Sequence, residues 1–417
     1  MKRTLFQFGL STLTAICAIS TVSAQWVKKS DNLQFQVGRW GGMSAVVGGK
    51  IYLTGGYANM QWLNDLQEYD PVTSAWKNLT TTPVGPLNRS AGVAFTINGK
   101  MYLGLGAENF LSTSGTQKNL KDLWEYTPST GAWVQKASLP DSGRTESSVF
   151  VLNNKAYVVG GAGFFSAGSN ATNQVWEYDA AANKWTKKAD YPEASIENAA
   201  AFAINNKGYV SGGQVGTANT VKTYEYNATA NSWTPKADFP DIARYGAVSF
   251  VVDNKGFVGL GGASYTDYKS TFFYYNPTTD KWSSLFSNWT ATPRLYGVAA
   301  AVGNKAYVGC GWRLDGTSQS YFRDWYEMDI AAKLSIENTT GINKVVIYPN
   351  PSTGVLQVNA ENGNYNYVVY NMTGQKSASG ILGADKTINL SDLAQGQYVL
   401  ELVSEKQTYR SMIFLSK

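Results

Sequence analysis

Histidine does not occur in the 417-residue sequence, and its absence removes the commonest metal ligand and the commonest general base at once. Any catalysis would have to run on carboxylates, tyrosine, lysine or arginine. Cysteine is nearly as scarce, Cys17 and Cys310 being the full complement. Cys17 falls in a leader: Lys2 and Arg3 precede an apolar run from Leu5 to Ile19 that ends in Val22, Ser23 and Ala24, the pattern of a secretory signal peptide over residues 1–24. Its removal leaves Cys310 alone, so no disulfide within the mature chain is expected and packing must supply stability. No later stretch reaches the roughly 20 apolar residues of a membrane-spanning helix. Neither sign of charge is in excess, since loss of Lys2 and Arg3 from 35 basic residues leaves 33 against 30 acids. No nucleic-acid partner is expected from so balanced a chain, and no motif asks for a metal or a cofactor.

What the sequence has is repetition. An apolar strand, a "GK", "NK" or "GG" turn, a second strand ending in glycine, a variable loop, an aromatic strand and a tryptophan recur along most of the chain. The glycine that closes each "GG" or "LG" pair, "CG" in the last unit, stands at Gly56, Gly106, Gly161, Gly213, Gly261 and Gly311, which makes six units at intervals of 50, 55, 52, 48 and 50. Tyr69 and Trp76, Tyr126 and Trp133, Tyr178 and Trp185, Tyr226 and Trp233, and Tyr275 and Trp282 are each seven apart. The sixth unit breaks the rule, with Met328 at the tyrosine position and Ser335 where tryptophan belongs. Near the N-terminus "QWVKKSDN" resembles the end of a unit, as in "WTKKADYPE". The expectation is that the strand after Trp26 completes the sixth unit and closes a ring, because unpaired sheet edges invite aggregation.

Paired glycines followed by tyrosine and tryptophan in units of about 50 residues resemble the kelch repeat, one blade of a β-propeller. The resemblance covers residues 25–334 and implies an all-β, six-bladed kelch β-propeller closed by an N-terminal strand. It gives the glycines, tyrosines and tryptophans scaffold roles.

After a linker over residues 335–343 the text changes to "VVIYPNPSTGVLQVNA", "YNYVVYNMTGQ" and "TINLSDLAQGQYVLELVSE". Short alternating strands between proline, asparagine and glycine turns predict a small Ig-like antiparallel β-sandwich over 344–417. Tyr348, Pro349, Asn350, Pro351, Gly354, Gly374, Leu393, Gly396, Tyr398 and Lys417 resemble the C-terminal sorting domain of type IX secretion in Bacteroidetes. That resemblance implies the secretion machinery as a partner, and a secreted or outer-surface protein.

Counting back sixteen residues from the first member of each glycine pair gives Arg39, Arg89, Arg144, Ile196, Arg244 and Arg294. In a propeller the first strand of each blade lines the central channel, so five guanidinium groups are expected at one channel mouth. The loops after the glycine pairs open beside them and carry Tyr57, Trp62, Phe110, Phe164, Phe165, Tyr265, Tyr268, Trp312, Tyr321 and Phe322. Arginine binds carboxylate in a bidentate fork and aromatic rings stack on sugar C–H faces. Arg39, Arg89, Arg144, Arg244 and Arg294 with Trp62, Tyr265 and Trp312 therefore form a candidate site for an acidic glycan or a protein ligand. An alternative gives the arginines internal bonds and no ligand.

Within kelch propellers, galactose oxidase needs copper held by histidine, which this sequence lacks. Resemblance to bacterial N-acetylneuraminate epimerase implies a sugar mutarotase or epimerase, with Glu146 and Glu197 as candidate acid and base. Nothing in the motifs separates that enzyme from a binding protein.

Overall fold

The computed structural model describes residues 26–31, 38–80, 86, 88–108, 118–163, 171–285, 289–331, 334, 346–359, 364–371, 375–404 and 408–416. The signal segment 1–24 and the linker 335–343 lie outside them. The chain divides into two compact units, one ending at Ala331 and one beginning at Ala332. That division falls three residues before the boundary expected at 334.

In the first unit six antiparallel four-stranded sheets follow one another as blades. Blade 1 runs outward through Met43–Val47, Lys50–Thr54, Leu66–Asp70 and Ala75–Asn78. Each inner strand is joined to the second by a two-residue turn, and both turn residues have positive φ at Gly48–Gly49, Asn98–Gly99, Asn153–Asn154, Asn205–Asn206 and Asp253–Asn254. A turn of this type suits the right-handed twist of the strands but demands glycine, asparagine or aspartate. That is why "GK" and "NK" recur.

The inner strands alternate buried and half-buried residues, while the second strands are buried after their first residue. The core therefore sits between blades, where Tyr69, Tyr178, Tyr226 and Tyr275 are fully enclosed. Neighbouring blades are also tied through the backbone. The second glycine of each pair donates its N–H to a carbonyl in the next blade: Gly56 to Arg89, Gly106 to Arg144, Gly161 to Ile196, Gly213 to Arg244, Gly261 to Arg294 and Gly311 back to Arg39, at 2.7–3.1 Å. The sixth of these bonds closes the ring. A Cβ on Gly311 would lie 2.8 Å from the Leu295 carbonyl oxygen, so this approach requires glycine.

The N-terminal strand Val27–Asp31 pairs antiparallel with Asp324–Asp329 as the outer strand of blade 6. Val27 stands opposite Glu327, which places Trp26 opposite Met328, as Trp76 stands opposite Tyr69 in blade 1. Trp26 is buried against Phe250, Phe272 and Trp289 of the preceding blade. The expected closure by a displaced strand is what the fold contains.

The second unit packs two antiparallel sheets. One holds Val346–Tyr348, Val355–Asn359 and Thr387–Asn389, and the other Lys376–Ile381, Asn366–Asn371, Gly396–Val403 and Thr408–Leu415. Leu356, Val358, Val369, Leu400, Leu402 and Ile413 fill its core.

Candidate functional site

The arginines stand where the register places them, but not as free cations. Arg39, Arg89, Arg144, Arg244 and Arg294 are all buried. Each donates to the carbonyl sixteen residues on: Gly55, Leu105, Gly160, Leu260 and Cys310, at 2.8–3.3 Å. The sixteen-residue spacing is thus the span of a hydrogen bond that ties the approach to the inner strand to the end of the second strand.

Each guanidinium also meets a carboxylate. Arg39 forks onto Asp65 at 2.7 and 2.6 Å, and Arg89 onto Asp122 at 3.0 and 2.8 Å. Arg294 binds both oxygens of Asp324, while Arg144 and Arg244 take Asp141 and Asp241 from three residues upstream. Arg294 also lies 3.7 Å from the centre of the Phe322 ring. Burying a guanidinium demands such pairing, because an unpaired charge in that setting is strongly unfavourable. The expected basic funnel is therefore replaced by five neutralised ion pairs inside the blades.

The residues two positions beyond the five arginines and Ile196 form the ring that faces the channel: Gly41, Ala91, Glu146, Asn198, Gly246 and Tyr296. All six have φ between 53° and 62°. The turn aims each N–H at the preceding blade, from Ala91 to Gly41, Glu146 to Ala91, Asn198 to Glu146, Gly246 to Asn198 and Tyr296 to Gly246, at 2.8–3.1 Å. Three of these residues are small and three large, so the centre of the ring is lopsided. Around them lies a cavity of about 200 Å³ lined by Glu146, Ser147, Asn198, Tyr296 and the small residues of the ring. At about 30 Å³ each, six or seven waters would fill it. A Cβ on Gly246 would lie 3.2 Å from the Tyr296 ring, so its absence makes room for that ring.

Aromatic rings continue from this cavity along the face where the inner strands begin. Trp62, Tyr57, Trp40, Tyr296, Tyr245, Tyr265 and Trp312 form an unbroken chain with successive centroids 5.4, 6.1, 5.3, 6.1, 5.9 and 5.5 Å apart. The arc spans blades 5, 6 and 1. Tyr265 is exposed, Trp40, Trp62, Tyr296 and Trp312 are half-buried, and Tyr57 and Tyr245 are buried. The Tyr265 hydroxyl lies close to those of Tyr245 and Tyr296. Tyr268 holds the blade 6 hairpin, accepting from the Leu314 N–H at 2.7 Å, with the Arg313 guanidinium 4.8 Å from its ring centre.

Opposite the arc stand Glu146 and Glu197, from blades 3 and 4. Burial pushes the Glu146 carboxyl up to about 7, with a further rise from the Glu197 charge and a partial offset from a hydrogen bond with Asn198. Burial also raises Glu197. Five unpaired guanidinium groups would have held both low. In the folded chain each arginine is answered by its own carboxylate, so burial wins.

Tyr265 lies within reach of both glutamate charges, Trp62 and Trp312 form the two ends of the arc, and the arginines are withdrawn into the blades. Phe110, Phe164 and Phe165 lie outside the described residues. Trp40, Tyr245 and Tyr296 were not expected. Their signal is positional, since they sit one or two residues after an arginine already in register.

The KLHDC2/KLHL20/DRC7 kelch-repeats domain model matches residues 9–161 and 147–341, and the secretion system C-terminal sorting domain model matches residues 346–415. The chain is 27% identical over 206 residues to Kelch-like protein 25 of Xenopus tropicalis, covering 47% of this chain and 32% of that protein. It is 26% identical over 233 residues to N-acetylneuraminate epimerase of Haemophilus influenzae, covering 48% and 60%, and 32% identical over 123 residues to that of Shigella sonnei, covering 29% and 31%. The chain thus spans between about a third and three-fifths of the length of these relatives. The sorting domain indicates type IX export to the cell surface or extracellular space. Among the described residues no helix is long and apolar enough to cross a membrane.

Proposed function

Because the chain belongs to the kelch-repeat family and ends in a secretion sorting domain, we propose that it is an exported propeller that binds a carbohydrate at the channel face of blades 5, 6 and 1. The observation that carries this reading is the aromatic arc from Trp62 to Trp312, five of whose rings are partly or fully open to solvent. Flat rings offer sugar C–H faces a large contact with few rotatable bonds to immobilise, and the cavity beneath supplies a carboxylate, an amide, a hydroxyl and a phenol as polar anchors. The acidic form of the glycan loses its support, because the arginines that would have received its carboxylate are paired internally. A protein ligand remains the competing occupant, since fold alone does not choose between them.

Ligand-observed NMR on the mature protein with a panel of mono- and disaccharides tests the reading. Saturation transfer is expected for at least one sugar, lost in Trp312→Ala and Trp40→Ala. Transfer that survives both substitutions moves the site elsewhere.

A second reading is favoured by one feature, the Glu146 carboxyl pushed up to about 7. A group poised there both takes and gives a proton near neutrality, as sugar ring opening and closing require. A protein with which this chain shares 26% identity over part of its length is named as an N-acetylneuraminate epimerase. Faster anomer exchange with the native protein, abolished in Glu146→Gln, would establish the enzyme. Exchange no faster with the native protein than in buffer would leave a binding protein.

A further inference from the structure

One buried acid in the candidate site lacks a counterpart. Glu197 is 9% exposed, and among the described residues no hydrogen bond or ion pair engages its carboxylate. It is the residue before Asn198, which lines the cavity, and its charge acts on both Glu146 and Tyr265. Its charge thus reaches both the second acid and the aromatic arc from the edge of the cavity, which Glu197 itself does not line. No lysine or arginine lines the cavity among the described residues, and the nearby arginines are each held by a carboxylate of their own blade.

Two carboxylates with no cation beside them are costly to ionise in a partly enclosed space. The same pair is favourable once a cation enters. Trp40, Tyr296 and Tyr265 add the negative faces of their rings, which attract an ammonium group within about 6 Å of a centroid. An acidic ligand would meet two like charges there, and a neutral one would leave both acids unanswered.

We propose that the ligand of this face carries a primary ammonium group, as an amino sugar does, seated between Glu146, Glu197 and the rings of Trp40, Tyr296 and Tyr265. The proposal rests on the carbohydrate reading above and narrows it to one substrate class. The sugar frame contacts the arc while the ammonium donates to the two carboxylates. A basic peptide side chain presents the same cation without the sugar frame and is the alternative the test must separate.

Calorimetric titration of the mature protein at pH 7, where an amine of pKa near 8 is largely charged, decides the matter. The probes are glucosamine, glucose, N-acetylglucosamine, galacturonate and lysine amide. Glucosamine is expected to bind about tenfold more tightly than glucose or N-acetylglucosamine, the scale of one desolvated cation–carboxylate or cation–π contact, with galacturonate weakest. Glu197→Gln should weaken glucosamine about tenfold more than it weakens glucose, so that the two sugars bind with the same affinity. Glu146→Gln serves if that variant misfolds, which circular dichroism will reveal. Equal binding of glucosamine and glucose overturns the amino-sugar inference while leaving the carbohydrate reading intact. Binding of lysine amide alone overturns both, and so does silence across the panel.

Discussion

Glu146 combines several constraints in one side chain. It adopts φ of 60°, donates its N–H to the neighbouring blade and holds its carboxyl at about 7 through burial and the Glu197 charge. An unfolded glutamate titrates near 4.3, so between about 4.3 and 7 the folded chain retains a proton that the unfolded chain has released. Stability from this group is therefore greatest at the acid end and falls as pH rises through 7, by at most about 4 kcal/mol. Glu146→Gln should raise the melting temperature by several degrees at pH 8 and hardly at all at pH 4.5. A variant no more stable than the native protein at pH 8 would show that the channel keeps the carboxylate solvated. The arginines give the opposite result. Arg294→Ala removes a buried guanidinium that Asp324 binds through both oxygens, and breaking such a pair costs about 3–5 kcal/mol. Chemical denaturation should register that loss, while sugar affinity of the folded variant stays unchanged. The arginine register was legible in the sequence, but its meaning was not. The bond partner sixteen residues away is a carbonyl, and the carboxylates come from two different positions, Asp65, Asp122 and Asp324 beyond the arginine but Asp141 and Asp241 before it. Periodicity does not reveal such a split.

At the scale of the strand, the blade is held by a set of side chains that the displaced N-terminal strand has to reproduce. In blades 2, 3 and 4 a glutamate on the third strand sits between two lysines: Glu125 with Lys100 and Lys136, Glu177 with Lys155 and Lys188, Glu225 with Lys207 and Lys236. Blade 6 completes the arrangement with Lys29 from the N-terminal strand, 3.7 Å from Glu327, whose other partner is Lys305. The tryptophans of three regular outer strands likewise reach back, Trp185 donating to the Ala137 carbonyl, Trp233 to Ala189 and Trp282 to Ala237, at 2.7–3.1 Å. Trp26 takes the matching place against Trp289 and Phe250. Trp26→Ala should cost about 3–5 kcal/mol, as truncation of a buried large aromatic does, and should lower the melting temperature by several degrees. An unchanged melting temperature would mean that the six glycine-to-carbonyl bonds close the ring unaided. This part of the fold was readable because a missing tryptophan in one unit and a surplus one at the start are both visible as text. The aromatic arc was only half readable, since loop rings such as Tyr265 and Trp312 announce themselves while Trp40 and Tyr296 are placed by the curvature of the closed ring.

The whole propeller sets a nearly sixfold frame around an unsymmetrical centre. Every blade contributes the same glycine contact to its neighbour, whereas the ring at the channel sets small Gly41, Ala91 and Gly246 beside large Glu146, Asn198 and Tyr296 in no regular order. Repetition makes the frame legible, because six copies in one register reinforce each other. The site lies where the copies differ, and a single difference carries no periodic signal. The sorting tail is separate in this respect also: it has its own core of Leu356, Val358, Val369, Leu400, Leu402 and Ile413, and the chain divides at Ala331 and Ala332. The ring of the first unit closes on itself through Gly311 and Arg39 and through the strand after Trp26. Deleting residues 344–417 should therefore leave a propeller with an undiminished melting transition and the same sugar response, but retained inside the cell, because the address for type IX export goes with the tail. Fractionating cells that express the two forms separates the roles. Truncated protein in the medium at the native level would refute the address, and truncated protein that no longer folds would show that the propeller leans on the tail after all.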